Sequence, residues 1–568
     1  MAIKLKIEDY GTHPEQYLRL PETQSCYEYL LGCYERITKD LGDYIAFMVP
    51  VADQESAVRM SRFLSDIEKL ADYYASRGLK KGDVYTIFLP TCGHAMTAMY
   101  ALNKLGVIAS FVHPMTPPQA LEEIIKHTNS KGLITLDLFA APFASVIANH
   151  PTIICSTSDF CDGVALKYAM HNEMQNAKVP ELETITRYKE VLAMELPKSE
   201  KVENMGKTDA FYMHGGGTTG KSKTIRLSSY AFNSLAFKLY LLDIPHDYET
   251  AHALCALPCF HAYGLAGSAH YGICNAYKPF LIPKFDPRQA NELIRKYNVI
   301  EFLGVPKMFQ KMLEEDNFEN EGTKNLSMLF AGGDIVSKAF ADEFDSVMAK
   351  HGAEGKICRG YGLTEVCGIA STNGGSGPYS KDSVGFPLYG VTVEAWDDDC
   401  NKLPAGEVGE LTITGDTIMN GYLHDDIIKE DGIYYDENGT PWIRTGDMGY
   451  IDEDGFVFFS GRKKRIIIIA GYNIYPATIE EKIDELDYIS EVCAVQGYDE
   501  NGKPLVKLVV SLADQSLSNE EAVARLKAFC EANLEGISVP RKYEIMDLLP
   551  RTKMEKIDFM KLSDPMPQ

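Results

Sequence analysis

The chain has 568 residues, of which 45% are hydrophobic and 24% are charged, a composition typical of a globular protein with more than one domain. Its 80 acidic and 56 basic residues give a formal net charge of −24, which disfavours a broad nucleic-acid-binding surface. Thirteen scattered cysteines without a C-x-x-C pair predict neither a disulfide framework nor a zinc site. The N-terminus lacks an apolar leader and no run reaches the length of a membrane span, so we expect a cytoplasmic protein.

Buried-looking strands alternate with helical segments from about residue 84. The first group has strands in VYTIFLP, VIASFVHP and KGLITLDLF and helices in AMTAMYALNKLG and QALEEIIKHTN. After DAFYM the alternation returns, with strands in HALCALPCF, KPFLIPKF, VIEFLGVP and SMLFAGGD. Strands separated by helices predict parallel sheets built from βαβ units, and two successive α/β layers are therefore expected. From about residue 383, short strands with Gly and Pro turns predict a β-rich subdomain.

The segment HGGGTTGKSK, 214–223, matches the phosphate loop G-x-x-x-x-G-K-[ST], with Lys221 and Ser222 in the last two positions. Such a loop leads into a helix, whereas TIRLSS, which follows here, alternates like a strand. The context therefore argues against a Walker A loop. A P-loop NTPase or kinase stays open as an alternative of another class, and a glycine-rich turn without a ligand is the simplest alternative.

Four further stretches accompany this loop: RGYGLTE (359–365), WIRTGDMGYIDEDGFVFFSGRKKR (442–465), GYNIYPATIEE (471–481) and PRTKMEKID (550–558). In this order and spacing, from about residue 80 to 560, the chain resembles the adenylate-forming superfamily of acyl-CoA synthetases, adenylation domains and luciferases. It is most like an AMP-forming acyl-CoA synthetase. The resemblance implies that a carboxylic acid reacts with ATP and Mg²⁺ to give an acyl-adenylate, and that CoA then takes the acyl group as a thioester.

The resemblance also implies a domain organisation. It predicts an α/β protein with a large N-terminal domain, 1–461, made of doubly wound α/β layers and a β-rich subdomain at about 383–461. A small mobile α+β C-terminal domain, 462–568, would follow, with a hinge near Lys464. The first 80 residues carry nothing that matches.

Roles for single residues follow from the same resemblance. The implied catalytic residues are Lys556, Thr218, Lys223 and Glu365, and Thr218 and Glu365 are the implied Mg²⁺ ligands, because ATP-bound Mg²⁺ prefers hard oxygen atoms. The implied ATP- and AMP-binding residues are Gly217, Thr218, Thr219, Gly220, Lys223, Gly333, Asp334, Tyr361, Gly362, Thr364, Asp447 and Arg462. Without a functional role, Asp447 would be a turn-forming residue and Lys556 a surface lysine.

The segment PCFHAYGL, 258–265, resembles the family's acyl-gating stretch. His261 takes the gating position, with a core histidine as the equal alternative. Ala262 stands where amino-acid-activating relatives carry Asp, and an unpaired ammonium is costly to bury, so an uncharged aliphatic or aromatic acid is expected. The implied acyl-pocket residues are His261, Ala262, Tyr263, Gly304, Gly332 and Cys367, and those for CoA and the hinge are Lys464, Gly471 and Tyr472.

The chain departs from the family at Gly215, Gly216, Ser222 and Glu555. Because of these departures, a degenerate nucleotide-binding scaffold without enzymatic activity stays open as an alternative. A carrier protein in place of CoA is the alternative acceptor within the superfamily. The small-molecule partners expected are the acid, ATP and CoA.

Overall fold

The computed structural model describes residues 20–51, 54–163, 179–216, 222–242, 246–375, 377–380, 382–423, 432–469, 472–513, 516–534, 536–551 and 557–565. The strands, numbered in chain order, are β1 Ile45–Val51, β2 Gln54–Arg59, β3 Val84–Phe88, β4 Ile108–Phe111, β5 Ser130–Leu136, β6 Thr152–Cys155, β7 Ile185–Arg187, β8 Asp209–Gly216, β9 Ser222–Ser228, β10 Ala251–Cys255, β11 Phe280–Leu281, β12 Asn298–Gly304, β13 Met328–Ala331, β14 Ile357–Tyr361, β15 Ser371–Thr372, β16 Phe386–Pro387, β17 Val391–Trp396, β18 Gly409–Gly415, β19 Gly421–Tyr422, β20 Ile433–Tyr435, β21 Pro441–Ile451, β22 Val457–Arg462, β23 Ile467–Ile469, β24 Tyr472–Ile474, β25 Ile489–Tyr498, β26 Pro504–Leu512 and β27 Lys542–Ile545.

The α-helices of the described residues are α1 Cys26–Leu41, α2 Met60–Ser76, α3 Gly93–Lys104, α4 Pro118–His127, α5 Asp137–Ala140, α6 Ala144–Ile147, α7 Tyr188–Ala193, α8 Ser229–Tyr240, α9 Tyr271–Cys274, α10 Pro287–Lys296, α11 Pro306–Glu314, α12 Lys338–Lys350, α13 Pro476–Ile483, α14 Asn519–Asn533 and α15 Phe559–Leu562. A π-helix, Tyr263–His270, leads into α9.

Two large sheets with parallel centres make up most of the fold. The first has nine strands in the order β16-β15-β14-β13-β12-β10-β11-β1-β2, and the second has eight in the order β19-β9-β8-β4-β3-β5-β6-β7. Strands β10 to β14 and β3 to β8 pair in parallel. Antiparallel strands form both edges of the nine-stranded sheet and one edge of the eight-stranded sheet, whose other edge is the parallel strand β7. Helices connect the parallel strands, as their apolar sequences require. The predicted α/β layers are confirmed.

The N-terminal elements complete the first sheet and its core. Strand β1 pairs in parallel with β11, and β2 forms the edge. Helix α1 starts with a capping box, in which Ser25 and Glu28 bond each other's backbone N–H groups. Its Tyr27 N–H donates to Asn103 Oδ1 at 3.0 Å, and Asn103 Nδ2 donates to Ser229 Oγ at 2.8 Å. These bonds join α1, α3 and α8 through buried polar groups, so the segment before residue 80 is an integral part of the fold.

Three smaller sheets follow. The third has five strands, with β17-β18-β21-β20 in order and β22 beside β21, and it spans Val391 to Arg462. Strands β23 and β24 form a hairpin, and β25, β26 and β27 form a sheet covered by α13 and α14. The β-rich and α+β character predicted for these parts is confirmed. The domain boundaries and the mobility of the last part stay predictions.

Within the described part of the chain, no helix is both long and apolar enough to cross a bilayer.

Candidate active site

Several of the predicted site residues lie at the carboxyl ends of parallel strands. Strand β12 ends at Gly304, β13 leads into Gly332–Asp334, and β14 ends at Tyr361, so these segments meet at one edge of the nine-stranded sheet. Gly332 N–H donates to Gly304 O at 3.1 Å. Open α/β sheets bind their ligands at this edge. Gly333, which has a φ of 81°, turns the chain there, and Asp334 is exposed beside it.

Tyr361, Asp447 and Arg462 form a connected group. The Tyr361 hydroxyl donates to Asp447 Oδ2 at 2.9 Å, and Arg462 Nε lies 3.0 Å from Asp447 Oδ1. Asp447 is 2% exposed, whereas 57% of the Arg462 side chain is exposed. Burial, together with the neighbouring Asp447, raises the pKa of Tyr361, so the phenol stays protonated as a donor. The structure thus brings three separately predicted residues into one arrangement.

A second group joins the two large sheets. Glu365 lies in the 3₁₀ turn after β14, and Tyr422 lies in β19 at the edge of the eight-stranded sheet. The Tyr422 hydroxyl donates to Glu365 Oε1 at 2.9 Å, and Met419 N–H donates to Glu365 O at 2.8 Å. Lys223 Nζ stands 5.0 Å from the centre of the Tyr422 ring, a cation–π distance. Sequence analysis identified Lys223 and Glu365 but missed Tyr422, which connects them.

The Gly/Thr/Lys loop closes a β-hairpin. Gly216 pairs with Ser222 and Gly215 with Lys223 in the antiparallel strands β8 and β9. A strand therefore follows the loop, as its alternating sequence predicts, whereas a Walker A loop leads into a helix. The tip itself lies outside the described residues, with the predicted Gly217, Thr218, Thr219 and Gly220.

His214 fixes the base of this hairpin and was missed by sequence analysis. Its Nε2 lies 2.8 Å from Ser110 Oγ on β4, and its Nδ1 lies 3.1 Å from Thr224 Oγ1 on β9. Burial, followed by the charge of His127, lowers the pKa of His214 to about 4. The ring is therefore neutral at physiological pH and binds as a hydrogen-bonding link between three strands.

The predicted acyl-pocket residues cluster around Tyr263. Its hydroxyl donates to Phe330 O at 3.0 Å and lies 3.4 Å from Gly304 O. A Cβ on Gly332 would lie 3.7 Å from the Tyr263 ring, and one on Gly368 would collide with the Tyr263 backbone at 2.7 Å. Only glycine at 368 allows this close approach of the two backbones, whereas a side chain at Gly332 would meet the ring at an ordinary contact distance. Gly304, Gly332 and Tyr263 are thus in contact.

The other predicted pocket residues, Ala262, His261 and Cys367, differ in how far they are buried. Ala262 is 1% exposed at the start of the π-helix, and His261 is half-buried with its ring 4.9 Å from that of Phe260. Cys367 is fully buried in a left-handed turn with φ 64°, and its thiol interacts electrostatically with Cys26 of α1. Its side chain is packed in the main core, and its role in the acyl pocket stays a prediction.

A buried carboxylate near this cluster was also missed. Glu301 on β12 is 2% exposed. Burial raises the pKa of Tyr263 and of Cys255, and the negative charge of Glu301 adds to this effect. Glu301 was missed because it lies within the apolar run VIEFLG, and a strand pattern does not show which residues of other strands lie beside it. Gly362 and Thr364 lie in the turn after β14, and a Cβ on Gly362 would collide with Gly368 O at 2.2 Å.

The basic segment after β22 changes its ion-pair partners within a few residues. Lys463 Nζ lies 2.8 Å from Asp398, in the turn after β17, and 3.2 Å from Glu410 of β18. Arg465 instead donates to Glu480 of α13. Lys464 lies between them in a 3₁₀ turn.

Of three residues predicted for the small domain, the structure describes one. Tyr472 is 68% exposed at the start of β24. Gly471 and Lys556 lie outside the described residues.

A model of the family described as "AMP-binding enzyme" matches residues 38–423, more than half of the chain. The chain belongs to this family. The predicted membership of the adenylate-forming superfamily is thereby confirmed, and the P-loop kinase or NTPase alternative is removed. The family match begins within α1, in the segment that sequence analysis left unassigned.

Curated relatives match over most of their length. A long-chain-fatty-acid–CoA ligase of Bacillus subtilis strain 168 is 27% identical over 508 residues, 87% of each chain. A 2-succinylbenzoate–CoA ligase of Bacillus licheniformis is 26% identical over 499 residues, 87% of this chain and 91% of the other. The AMP-binding enzyme described here is thus similar to ligases that act on different acids.

Solved structures share its fold. An anthranilate CoA ligase in complex with anthranoyl-AMP superposes with a TM-score of 0.78 at 18% identity, covering 96% of this chain and 98% of the other. The o-succinylbenzoate CoA synthetase of Bacillus subtilis, in complex with its acyl-adenylate, gives a TM-score of 0.73 at 20% identity, covering 96% and 99%. The two-sheet architecture is therefore that of acid–CoA ligases.

Proposed function

We propose that this AMP-binding enzyme is an AMP-forming carboxylic acid:CoA ligase. The acid carboxylate attacks the α-phosphorus of ATP, pyrophosphate leaves, and an acyl-adenylate forms. The CoA thiol then attacks the acyl carbon and AMP leaves. The observation that carries the proposal is the Tyr361–Asp447–Arg462 group, with Glu365 in the turn after β14 of the nine-stranded sheet. The Tyr422 hydroxyl of the eight-stranded sheet donates to Glu365, and Lys223 lies beside the Tyr422 ring.

Nucleotide binding uses the first group. Asp447 is a carboxylate that accepts hydrogen bonds from the two adjacent ribose hydroxyls, and Tyr361 and Arg462 hold it in place. Gly333, Asp334, Gly362 and Thr364 provide backbone and short side chains for the adenine. Lys223 attracts the phosphates, as does the loop of Gly217, Thr218, Thr219 and Gly220. Lys556 would approach the reacting carboxylate as a point charge.

The donor set fits Mg²⁺ bound together with ATP. Glu365 offers a hard carboxylate oxygen, and its Oε1 already accepts from Tyr422, which leaves Oε2 for a cation. The described residues hold no group of three or more acidic, His or Cys side chains suited to a metal, in keeping with an ion whose other ligands are phosphates and water. Glu365 and Thr218 would hold the ion, which supplies positive charge to the phosphates when bound.

The acid is uncharged in its acyl part. Ala262 and Tyr263 offer an apolar wall at the expected pocket, and the Tyr263 hydroxyl is occupied by backbone carbonyls. A buried ammonium without a partner would be costly there. Aliphatic and aromatic acids are the proposed substrates, in line with the name of the relative that is a long-chain-fatty-acid–CoA ligase.

The small C-terminal domain supplies different groups to the two steps. The change of ion-pair partners between Lys463 and Arg465 supports a hinge at Lys464. Rotation there would withdraw Lys556 and bring Gly471 and Tyr472 to the CoA thiol. Free thiols at all thirteen cysteines support a cytoplasmic location.

Chromatography of reaction products tests the proposal. Purified protein is incubated with ATP, Mg²⁺ and a panel of fatty, aromatic and amino acids, with and without CoA. AMP and pyrophosphate should form with a fatty or aromatic acid, at least about tenfold faster than with any α-amino acid, and a thioester should form when CoA is present. ADP as the main product would overturn the proposal, and turnover only with an added acyl-carrier protein would replace CoA as the acceptor.

A further inference from the structure

A short linking segment, residues 419–423, connects the two large sheets at the proposed active site. On the side of the nine-stranded sheet, Met419 N–H donates to Glu365 O at 2.8 Å. On the side of the eight-stranded sheet, the N–H groups of Asn420 and Leu423 each donate to a carbonyl oxygen of strand β9, both at 2.8 Å. The linking segment is therefore bonded to both sheets at once.

The strand within this segment is too short to fix its own register. Strand β19 has two residues, Gly421 and Tyr422, and both pair with β9. A slip of one residue would turn each side chain of the strand to the opposite face. The Tyr422 hydroxyl, which donates to Glu365 Oε1 at 2.9 Å, would then leave the carboxylate. Further contacts are therefore needed to keep Tyr422 in place.

Three side chains supply such contacts. Asn420 Nδ2 donates to Asp209 Oδ1 at 2.8 Å and to Lys207 O at 3.1 Å. Arg226 donates from Nη1 to Asp209 Oδ2 at 3.3 Å and from Nη2 to Asn420 O at 2.9 Å. Each oxygen of the Asp209 carboxylate thus accepts from a different partner. We call Asp209, Arg226 and Asn420 the register network.

The register network is placed to hold the linking segment against one hairpin. Asp209 begins β8 and Arg226 lies in β9, the two strands that the Gly/Thr/Lys loop connects. The side chains of Arg226 and Asp209 are only 27% and 19% exposed, and hydrogen bonds to charged groups are stronger than those between neutral groups. The network therefore joins the linking segment to the hairpin that carries Lys223.

We propose that Asp209, Arg226 and Asn420 are positioning residues for Glu365. They act through Tyr422, fix the carboxylate that would hold the Mg²⁺ of MgATP, and so determine how much the ion adds to ATP binding. This inference rests on the proposed function, in which Glu365 is a ligand of that ion.

Titration calorimetry with ATP tests the proposal without turnover. Each protein is titrated once with Mg²⁺ present and once with EDTA, and the ratio of the two Kd values measures what the ion adds. In Asn420→Asp a second carboxylate faces Asp209 in place of the amide donor, so this ratio should fall about fivefold. The Kd with EDTA should stay the same. An unchanged ratio, or an equal loss of affinity under both conditions, would overturn the proposal, as would a parent protein that binds ATP equally well with EDTA.

An exchange of donor and acceptor tests the side-chain contact itself. In the double variant Asp209→Asn/Asn420→Asp an amide again faces a carboxylate, and part of the lost ratio should return. Asn401→Asp is the matched control and should keep the parent ratio, since Asn401 Nδ2 donates to Asp397 Oδ2 at 3.1 Å in the exposed turn after β17. A double variant no better than Asn420→Asp alone would refute the contact. Asn420→Ala replaces Asn420→Asp if the latter does not fold.

The two reaction steps separate positioning from general damage to the fold. Pyrophosphate release by Asn420→Asp should need a higher Mg²⁺ concentration than release by the parent protein. Thioester formation from a synthetic acyl-AMP and CoA should keep its rate, because no MgATP takes part. Equal losses in both steps would overturn the positioning role. If the parent protein binds MgATP but releases no pyrophosphate with any acid, the proposed function fails, while calorimetry still decides the role of the register network.

Discussion

Asp447 and Arg462 lie directly opposite each other in strands β21 and β22, with Asp447 Oδ1 3.0 Å from Arg462 Nε. The carboxylate is buried and the guanidinium is largely exposed. The sheet therefore fixes an acceptor at the proposed nucleotide site, and the exposed side of Arg462 remains available to the ligand.

Asp447→Asn should raise the KM for ATP by about tenfold, because one charged acceptor for the ribose is lost. The KM for the acid should change little. Steady-state pyrophosphate release with each substrate varied in turn measures both. Lys402→Met, which breaks the exposed ion pair of Lys402 with Glu394 at 2.7 Å in the same sheet, is the control. An unchanged KM for ATP would remove Asp447 from the nucleotide site.

Lys223→Met should slow adenylation by roughly a hundredfold, since a preorganised cation near the departing pyrophosphate is lost. Lys221→Met should have a smaller effect. Tyr422→Phe should also slow this step, because Glu365 then loses its hydroxyl donor. Pyrophosphate–ATP exchange measures all three variants. A dominant effect of Lys221 would contradict the position given to Lys223.

Lys464→Pro should leave acyl-adenylate formation intact but slow thioester formation, because proline fixes φ and stiffens the proposed hinge. Lys556→Ala should fail to form the adenylate while still converting a synthetic acyl-AMP with CoA. Single-turnover assays time the two steps separately, and Lys464→Ala should retain both. Equal loss of both steps in the two variants would mean that the small domain stays in one position.

The stabilising effect of His94 should depend on pH. The pKa of His94 is raised from 6.5 to about 9 in the folded protein, so its contribution is fully present below about pH 6.5 and is lost as the pH rises towards 9. That contribution is on the order of 3 kcal/mol. The difference in Tm between the parent protein and His94→Gln should therefore shrink between pH 6 and pH 9. A constant difference would contradict a charged His94.

Sequence patterns predicted the centre of the fold well. Buried parallel strands such as β3, β5 and β12 are apolar runs, and each is followed by a stretch that reads as a turn or helix. The first 80 residues were left unassigned, although Ser25 and Glu28 form a capping box that marks the start of α1. Their place beside β11 depends on pairing across more than two hundred residues, which periodicity does not reveal.

The candidate site was predictable where a motif carries its own chemistry. Tyr361, Asp447 and Arg462 were found in this way, and the structure brings them together. Tyr422 was missed because it lies in a two-residue strand, 57 residues from Glu365. The left-handed backbone at Cys367 was not predicted either, because its sequence does not require it.

The position of β1 in the nine-stranded sheet has a consequence for synthesis of the chain. Met48 in β1 pairs with Phe280 in β11, and β11 also pairs with β10. A ribosome must therefore deliver about 230 further residues before β1 can find its partner. Until then the apolar strand Ile45–Val51 has only β2 beside it, and long-range pairing of this kind closes slowly. Early segments that wait for late partners are where chaperones act on a growing polypeptide.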